Sequence, residues 1–340
     1  MSTLEFTGER FIPGTPGEIW LEHWHRYHFA ARWAAGRTVL DVACGEGYGS
    51  ALLARHATAV TGVDISPRAV EHATAEYAGL RNLQFVCASC TQLPIPDASI
   101  DVAVSFETLE HIEPQQAFLD ELARVLKPGG VLLISCPNKR EYSDNRGFVN
   151  EYHVRELYRD ELAALLASRF PHAQWHGQRP TFYSVIAPEG GAVAGAGQLV
   201  EAREAHPDEA RTELANPLYY IVAASRAAAA LAVPATVSVF SDLDDYLHRD
   251  YAKVIREVRE LVGLRVQLEG LVAERDAQIQ AILERVRSLE GAVATRESEL
   301  QHTLAEMHAV RTRLEGEVLR RQGWRWWLRL PFVRLGWLTA

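Results

Sequence analysis

A heptad repeat occupies much of the C-terminal third of this 340-residue chain. Between Leu247 and Leu314, apolar residues recur at alternate steps of four and three, and sixteen of the twenty positions in this seam are apolar. A register held for so long predicts a coiled coil, because a single amphipathic helix on a globular face rarely keeps a seven-residue period. No other part of the chain offers a matching seam, so we expect the helix to pair with copies of itself in a homo-oligomer.

Upstream of the repeat, residues 38–228 alternate between short β-branched apolar runs and amphipathic helical stretches. The apolar runs lie at 38–42, 59–63, 82–87, 100–105, 131–136 and 219–225. This alternation predicts an α/β architecture with a doubly wound sheet. We therefore divide the chain into an α/β domain at 1–228, a linker at 229–243, a coiled coil at 244–320 and an amphipathic tail at 321–340.

Composition excludes several classes of protein. A net charge of −9 argues against general nucleic-acid binding, which uses basic surface to neutralise phosphates. Four cysteines without a regular spacing are too few for the disulfide framework of a secreted protein. The first residues lack the basic and apolar regions of a signal peptide, and no apolar run is long enough to span a bilayer. These observations favour a cytoplasmic protein.

The stretch VLDVACGEGYGS has the pattern of a strand, a glycine-rich turn and a helix. Gly45 and Gly47 would let the backbone approach a nucleotide-like ligand closely. Asp64 ends the next predicted strand, at a distance that suits hydrogen bonds to both hydroxyls of a ribose. A dinucleotide would place its pyrophosphate at the helix N-terminus, where Asp41 and Glu46 would repel it. These acids suit instead a ligand that carries an amino group and a sulfonium.

Two later stretches, DVAVSFETLEHI and ARVLKPGGVLLIS, lie at the predicted fourth and fifth strands. With the glycine-rich motif, they resemble the class I S-adenosylmethionine-dependent methyltransferases over about the first two-thirds of the chain. The resemblance implies a seven-stranded Rossmann-like sheet and a methyl-transferring enzyme with S-adenosylmethionine across the carboxyl ends of the strands. It also implies that Asp41, Gly45 and Gly47 lie near the amino-acid part of this cofactor and that Asp64 binds its ribose.

Other positions of the same resemblance concern the edges of the cofactor pocket. Ala43 and Ser89 depart from the family's pattern, since they replace a glycine and an acid that reaches the adenine; the Ser89 hydroxyl could still bind the base. Phe106 is a further candidate for the cofactor pocket. The N-terminal stretch, with GERFIP and EHWHRYH, could cap the pocket, and Arg26 could pair with the methionine carboxylate. A helix packed on the sheet edge explains the same stretch equally well.

Glu107, Glu110 and His111 form a Glu-x-x-Glu-His run. In a helix these side chains would fall within about one turn, and two carboxylates with an imidazole suit a divalent ion. Some methyltransferases of this superfamily use a similar run for a metal. Because such runs are common where no metal binds, we predict no metal here. His111 is an alternative candidate for a general base, because imidazole titrates near neutral pH.

Tyr152 and His153 follow the fifth predicted strand, on the side where α/β sheets bind substrates. They are the main candidates for the acceptor site. A hydroxyl acceptor must lose a proton during methyl transfer, and His153 could remove it, whereas a carboxylate or phosphate acceptor would need no base. The alternative is a loop-to-helix contact in which His153 is merely exposed.

The last twenty residues interleave Arg and Trp, and no acid follows Glu317. Trp favours the level of lipid headgroups and Arg favours anionic lipid, which predicts one or two short interfacial helices around Pro331. A segment that docks on a protein partner is the alternative. Oligomerisation would strengthen a weak contact. We therefore expect a peripheral position on the inner face of the cytoplasmic membrane.

The three parts together resemble the bacterial chain-terminating methyltransferases of O-antigen and related cell-surface polysaccharides. The stretches GERFIP…EHWHRYHFA and YSD…NEYHVREL carry this resemblance. It implies O-methylation of a sugar at the end of a growing glycan, with the tail on the membrane or on a membrane-associated glycosyltransferase. Two alternatives stay open: a methyltransferase for a small molecule such as a quinone or lipid headgroup, and a coiled-coil scaffold whose head is not catalytic.

Overall fold

The computed structural model describes residues 18–181, 183, 197, 199, 201–203, 206–233, 236–243 and 245–338. The chain divides into two compact units, Met1–Asp250 and Tyr251–Ala340. The stretch GERFIP, which the sequence placed near a cofactor pocket, lies outside the described residues.

The first unit is built on a sheet with helices on both faces. Its strands, within the described residues, are β1 (Thr38–Val42), β2 (Ala59–Asp64), β3 (Leu83–Cys87), β4 (Ile100–Phe106), β5 (Leu126–Pro137), β6 (His172–Gln178), β7 (Glu201–Arg203), β8 (His206–Arg211) and β9 (Tyr219–Ser225). Seven of them form one sheet in the order β3-β2-β1-β4-β5-β9-β6, and β7 and β8 form a separate antiparallel pair. The predicted seven-stranded, doubly wound sheet is confirmed.

Five strands of this sheet, β1 to β5, run parallel, and β9 is antiparallel to both of its neighbours. The chain order reverses between β1 and β4, because β2 and β3 extend the sheet to one side and β5 extends it to the other. In open α/β sheets the ligand crevice lies outside the carboxyl ends of the strands at such a reversal. The fold therefore directs attention to the residues that follow β1, β2 and β4.

The helices of the first unit are α1 (Glu18–Ala34), α2 (Tyr48–Ala54), α3 (Pro67–Glu76), α4 (Gln115–Val125) and α5 (Arg159–Ala167). Short helical turns lie at Leu109–His111 and Arg140–Asp144. The side chains of β5 alternate between two cores, as strand geometry requires. Leu132 packs in the core that holds residues of α4 and α5, whereas Leu133 packs in the core that holds residues of α1 and α2.

Part of the predicted linker lies against α1. The Phe240 ring packs 5.3 Å from Trp20 and 5.2 Å from His28, measured between ring centroids. The Thr236 hydroxyl accepts a hydrogen bond from Arg32 at 2.8 Å. Thr236 and Phe240 of the predicted linker thus lie against α1, within the first unit.

The heptad repeat lies in one continuous helix, α6 (Tyr246–Gln322), which is followed by α7 (Trp324–Arg334). Seam residues such as Leu261, Ile282 and Leu300 are exposed in the single chain. The coiled coil itself stays a prediction.

α7 continues through Pro331 as one helix. None of the helices in the described part of the chain combines the length and hydropathy that crossing a membrane requires.

Candidate functional site

The turn after β1 is closed by left-handed backbone at Ala43, Gly45 and Gly47, with φ angles of 60°, 56° and 87°. This conformation costs a residue with a Cβ about 1–2 kcal/mol, so Ala43 stores a little strain. A Cβ on Gly47 would lie 2.6 Å from the Phe85 ring and 2.9 Å from Ala73. A Cβ on Gly45 would meet no atom within 4 Å. Gly47 is therefore locked by packing, whereas Gly45 borders open space.

Asp64, at the end of β2, fastens this turn. Its Oδ2 accepts the Gly45 N–H and its Oδ1 accepts the Ser66 N–H, both at 2.9 Å. Each carboxylate oxygen can accept a further hydrogen bond, so hydroxyl donors can still be bound. The structure thus brings three of the predicted cofactor residues, Gly45, Gly47 and Asp64, to one edge of the sheet.

Asp41 lies in β1 and is completely buried. Its oxygens accept hydrogen bonds from the Ser50 hydroxyl at 2.6 Å and from the Tyr27 hydroxyl at 3.2 and 3.3 Å. Burial raises the pKa of Asp41 to about 7, and the two hydroxyl groups oppose this rise. Asp41 is therefore bound to protein groups, and in the described structure it supports the turn from inside the fold.

Replacing Asp41 by asparagine is expected to change how stability depends on pH. The folded pKa of about 7 exceeds the ordinary value of 3.8, so between these values the folded state keeps a proton that the unfolded state has lost. The free energy of unfolding of the native protein then falls as pH rises, by about 1.4 kcal/mol per pH unit, and levels off above pH 7. The variant lacks this contribution. Urea unfolding of the full-length proteins from pH 5 to 8 measures the difference.

The matched control for this experiment is Asp120→Asn, because the hydrogen bond from Gln116 holds the pKa of Asp120 below its usual range. That control should run parallel to the native protein between pH 5 and 7. Parallel curves for Asp41→Asn would contradict the raised pKa of Asp41.

Arg26 lies in α1 and is the centre of a buried polar cluster. Its Nε donates to Gln178 Oε1 at 2.7 Å, and the guanidinium lies over the Tyr219 ring, 4.3 Å from the centroid. Nη2 is 3.7 Å from Glu107 Oε1. Neither Nη1 nor Nη2 has a hydrogen-bond partner among the described residues. Two unused donors on a buried guanidinium suit the carboxylate of a ligand, which accepts a forked pair of hydrogen bonds.

Glu22 completes the cluster from the same helix. Its Oε2 accepts the Tyr219 hydroxyl at 3.0 Å. Burial raises the pKa of Glu22 to about 7, although the positive charge of Arg26 opposes the rise. The sequence named Arg26 but not Glu22, Gln178 or Tyr219. The last two lie far along the chain, so no local pattern links them to α1.

The two remaining cofactor candidates lie at the same edge of the sheet. Phe106 ends β4, is buried, and packs edge to face on Tyr27 with ring centroids 5.3 Å apart. Ser89 follows β3, and its hydroxyl lies 2.9 Å from the Thr91 hydroxyl. The Ala88 N–H donates to the Asp64 carbonyl, which keeps this segment beside β2. Both residues stay predictions as ligand contacts.

Glu107 separates from the rest of its predicted run. It adopts a left-handed φ of 51° directly after β4, and its Oε1 accepts the Ser135 hydroxyl at 2.6 Å. Such strain is sustained where surrounding contacts fix a residue, often at functional sites. Glu110 is buried, and burial together with the nearby negative charge of Glu107 raises its pKa well above the usual range. Among the described residues, the potential metal ligands that lie together include Glu110 and His111 of this run but not Glu107.

His153 joins Glu110 and His111 instead. The rings of His111 and His153 meet edge to face with centroids 4.9 Å apart, and Tyr142 stacks on His153 at 5.5 Å. Tyr152 contributes its backbone carbonyl, which lies 2.8 Å from His111 Nδ1. The three catalytic candidates are thus neighbours, and Tyr142 is a member of this group that the sequence did not single out.

Comparisons with known proteins bear on the domain that holds these residues. A protein-family model described as a methyltransferase domain matches residues 40–134. A probable S-adenosylmethionine-dependent methyltransferase of Mycolicibacterium smegmatis is 42% identical over 171 residues, which cover 48% of this chain and 64% of that protein. A 2-methyl-6-phytyl-1,4-hydroquinone methyltransferase of Synechocystis is 38% identical over 121 residues, which cover 34% of this chain and 38% of that protein.

Among solved structures, the YcgJ protein of Bacillus subtilis matches 46% of this chain and 71% of its own, with 25% identity and a TM-score of 0.40. The chain spans less than two thirds of the length of the two curated relatives.

Proposed function

The chain carries a class I S-adenosylmethionine-dependent methyltransferase domain, and we propose that the whole protein methylates a hydroxyl-bearing acceptor at a membrane surface. The observation that carries the cofactor half of this proposal is the buried guanidinium of Arg26, whose Nη1 and Nη2 have no hydrogen-bond partner in the part of the chain that the structure describes. The observation that carries the membrane half is the exposed Trp and Arg tail.

The residues at the sheet edge fit the cofactor. Each carboxylate oxygen of Asp64 accepts one backbone N–H and can accept one more hydrogen bond, so Asp64 would bind the ribose hydroxyls. Arg26 would hold the methionine carboxylate. The open space beside Gly45 gives the backbone access to the ligand. When bound, the cofactor supplies a methyl group on a sulfonium, which is ready for transfer to a nucleophile. We place the acceptor beside Tyr142, His111 and His153, where an imidazole would remove the proton of the acceptor hydroxyl.

The tail supports a position at a membrane surface. Trp324, Trp327 and Trp337 are all more than half exposed, at 68%, 61% and 73%. The Arg325 guanidinium lies over the Trp324 ring, 5.6 Å from the centroid, so aromatic and cationic groups share one surface. Such a surface binds anionic headgroups through both components. Self-association through the exposed seam of α6 would multiply the weak contact of each tail.

For the acceptor itself, we propose a sugar hydroxyl at the end of a cell-surface polysaccharide. The support is the combination of a methyltransferase domain, a long heptad helix and an interfacial tail, rather than any single pocket residue. A quinone or lipid headgroup is the second candidate. The similarity of the domain to a hydroquinone methyltransferase favours it, and so would activity without the helix and tail.

The test compares the full-length protein with a chain that ends at Leu314, in the presence of vesicles with or without anionic lipid. We expect both chains to bind S-adenosylmethionine equally in calorimetry. The intact chain should sediment with anionic vesicles at least about tenfold better, because each Arg near an anionic surface contributes about 1 kcal/mol. Transfer of labelled methyl is then measured with a lipid-linked glycan and with a quinone.

Each outcome tests one part of the proposal: the cofactor, the membrane contact or the acceptor. Absence of S-adenosylmethionine binding would remove both enzyme hypotheses and leave the scaffold alternative. Equal sedimentation of the two chains would refute the membrane role of the tail. Methyl transfer to the quinone but not to the glycan, at the same rate in both chains, would favour the second candidate.

A further inference from the structure

A cleft of about 520 Å³ opens between the start of α4 and the start of α5. One wall comes from the segment that follows β4 and leads into α4 at Gln115, and the other comes from the segment that follows β5 and leads into α5 at Arg159. The cleft therefore lies at the carboxyl edge of the sheet, where α/β folds bind their ligands. Its volume is within the range of pockets that hold small molecules.

Gln115 is the buried polar residue of the cleft lining, with 5% of its surface exposed. Its Nε2 donates to the carbonyls of Leu109 and Arg155 at 2.9 and 3.0 Å, which fixes the orientation of the amide. Its Oε1 is buried and has no hydrogen-bond partner in the described part of the chain. A buried acceptor without a donor is costly, so a ligand that brings a hydroxyl group would offset a cost that the fold carries.

Arg155 and Glu161 line the open side of the cleft, with side chains 56% and 45% exposed. Arg155 Nη2 lies 3.7 Å from Glu161 Oε1, which is an ion pair too long to be a hydrogen bond. Glu161 Oε2 accepts the Tyr158 N–H at 2.9 Å, so this carboxylate is held in place at the start of α5. An exposed ion pair of this kind contributes little stability, and a ligand can take over its donors and acceptors.

The charges of the lining disfavour an anionic ligand. Glu113 and Glu161 carry two negative charges, and Arg155 carries one positive charge. A phosphate or carboxylate in the cleft would therefore meet a net negative lining. A neutral ligand with hydroxyl groups meets no such repulsion.

Pro114, Leu157 and Leu165 add an apolar surface to this polar lining. A saccharide ring matches both properties, since its edge carries hydroxyl groups that donate and accept hydrogen bonds, while its faces carry C–H groups. A ligand that is apolar throughout would leave the polar groups of the cleft without partners. The lining therefore suits a neutral saccharide better than a quinone.

The cleft lies beside the position that we propose for the acceptor. Arg155 follows His153 by two residues, and its N–H donates to the carbonyl of Glu110 at 3.0 Å. Glu110 is next to His111 in the chain. The segments after β4 and β5 are thus fastened to each other between the two histidines and the cleft, so the cleft is formed before any ligand binds.

We propose that this cleft binds the saccharide unit that precedes the methylated sugar of the acceptor glycan. The inference rests on the proposed function in one respect, the choice of a glycan as acceptor. The terminal sugar would lie beside His111 and His153. A hydroxyl of the preceding unit would donate to Gln115 Oε1, and another would accept a hydrogen bond from Arg155.

The test measures how binding depends on the length of the glycan. Surface polysaccharide from cells that lack the protein is hydrolysed, and its mono-, di- and trisaccharide fractions are titrated into the full-length protein by calorimetry. We expect the disaccharide to bind at least about tenfold more tightly than the monosaccharide, because the second unit gains a hydrogen bond to a charged group. Arg155→Gln should lose most of this gain and bind the two fractions with similar affinity.

Two matched controls separate the cleft from general effects on the fold. Arg169→Gln removes an exposed arginine that is ion-paired to Asp120 at 2.7 Å but does not line the cleft, and it should bind as the native protein does. Leu165→Trp fills the cleft and should abolish the gain with length. Ala164→Trp places the same side chain at the exposed neighbouring position of α5 and should retain the gain.

Kinetics distinguish failure of the cleft from failure of the proposed function. With the trisaccharide as acceptor, Arg155→Gln should raise KM by about tenfold and leave kcat unchanged, because it removes binding away from the reacting hydroxyl. Methyl transfer to the glycan with the same KM in the native protein, Arg155→Gln and Leu165→Trp would overturn the cleft and leave the proposed function standing. A gain with length that both variants lose, together with methyl transfer to the quinone alone, would support the cleft and refute the glycan acceptor. Absence of saccharide binding at millimolar concentration would overturn the inference.

Discussion

Replacing Arg26 by methionine is expected to destabilise the full-length protein by about 3–5 kcal/mol, because it removes one partner of a buried charge group. Arg26 lies between Glu22 and Glu107, and its loss leaves a buried carboxylate at Glu22 without its cation. The same variant should lose at least about 100-fold in affinity for S-adenosylmethionine, because a buried charge-assisted pair contributes several kcal/mol to binding. Urea unfolding and calorimetry measure the two effects separately.

The destabilisation should also depend on pH. Burial raises the pKa of Glu22 to about 7 while Arg26 opposes the rise, so without Arg26 the carboxyl keeps its proton to a still higher pH. The unfolded state loses that proton near its ordinary value of 4.5. The folded variant therefore binds more protons than the unfolded one above pH 7, and its free energy of unfolding keeps falling there as pH rises. The loss in Arg26→Met should be larger at pH 8.5 than at pH 6.

A double variant separates structure from binding. Glu22→Gln removes the orphaned charge while its amide oxygen can still accept the Tyr219 hydroxyl, so Glu22→Gln with Arg26→Met should regain most of the stability. It should not regain affinity for the cofactor. Normal cofactor affinity in the double variant would show that Arg26 does not hold the carboxylate. Arg32→Met, on the exposed side of the same helix, serves as the control and should change stability by less than about 1 kcal/mol.

The parts of the fold that the sequence predicted share one property: their signal is local. β1, β4 and β9 are apolar runs buried within the sheet, and each was located within a residue or two. β6 was missed because its sequence, HAQWHGQ, is polar and it lies at the sheet edge, where one side has no strand partner to bury it. The position of β9 between β5 and β6 was also missed, since chain order does not reveal which strand is inserted antiparallel.

The residues of the candidate site also divide into those that a local sequence signal predicts and those that it does not. Gly45, Gly47 and Asp64 lie within one strand-helix-strand unit, so their spacing alone predicts that they meet. The grouping of Glu107 with Glu110 and His111 did not hold, because the left-handed backbone at Glu107 turns its side chain toward Ser135. His153, which lies 42 residues after His111, joins Glu110 and His111 instead, through hydrogen bonds between two loops that no sequence period encodes.

The largest effect of a single methyl group is expected at Gly47. Gly47→Ala combines two costs: about 1–2 kcal/mol for a left-handed alanine and about 1–3 kcal/mol for a Cβ forced to within 2.6 Å of the Phe85 ring. The sum, about 2–5 kcal/mol, is a large fraction of the stability of an ordinary domain. Because the turn also positions the Gly45 amide on Asp64, S-adenosylmethionine binding should fall with stability. Chemical unfolding and calorimetry on the full-length protein measure both.

Gly36 provides the matched control, because it has a similar φ of +68° and a Cβ added there would meet no atom within 4 Å. Gly36→Ala therefore carries the backbone cost alone, about 1–2 kcal/mol, and should leave cofactor affinity unchanged. The difference between the two variants isolates the overlap with Phe85. Adding Phe85→Leu to Gly47→Ala removes the ring and should recover part of that difference. Equal losses in Gly36→Ala and Gly47→Ala would mean that the Phe85 ring yields freely, and the close packing behind the turn would then have no part in holding the cofactor site.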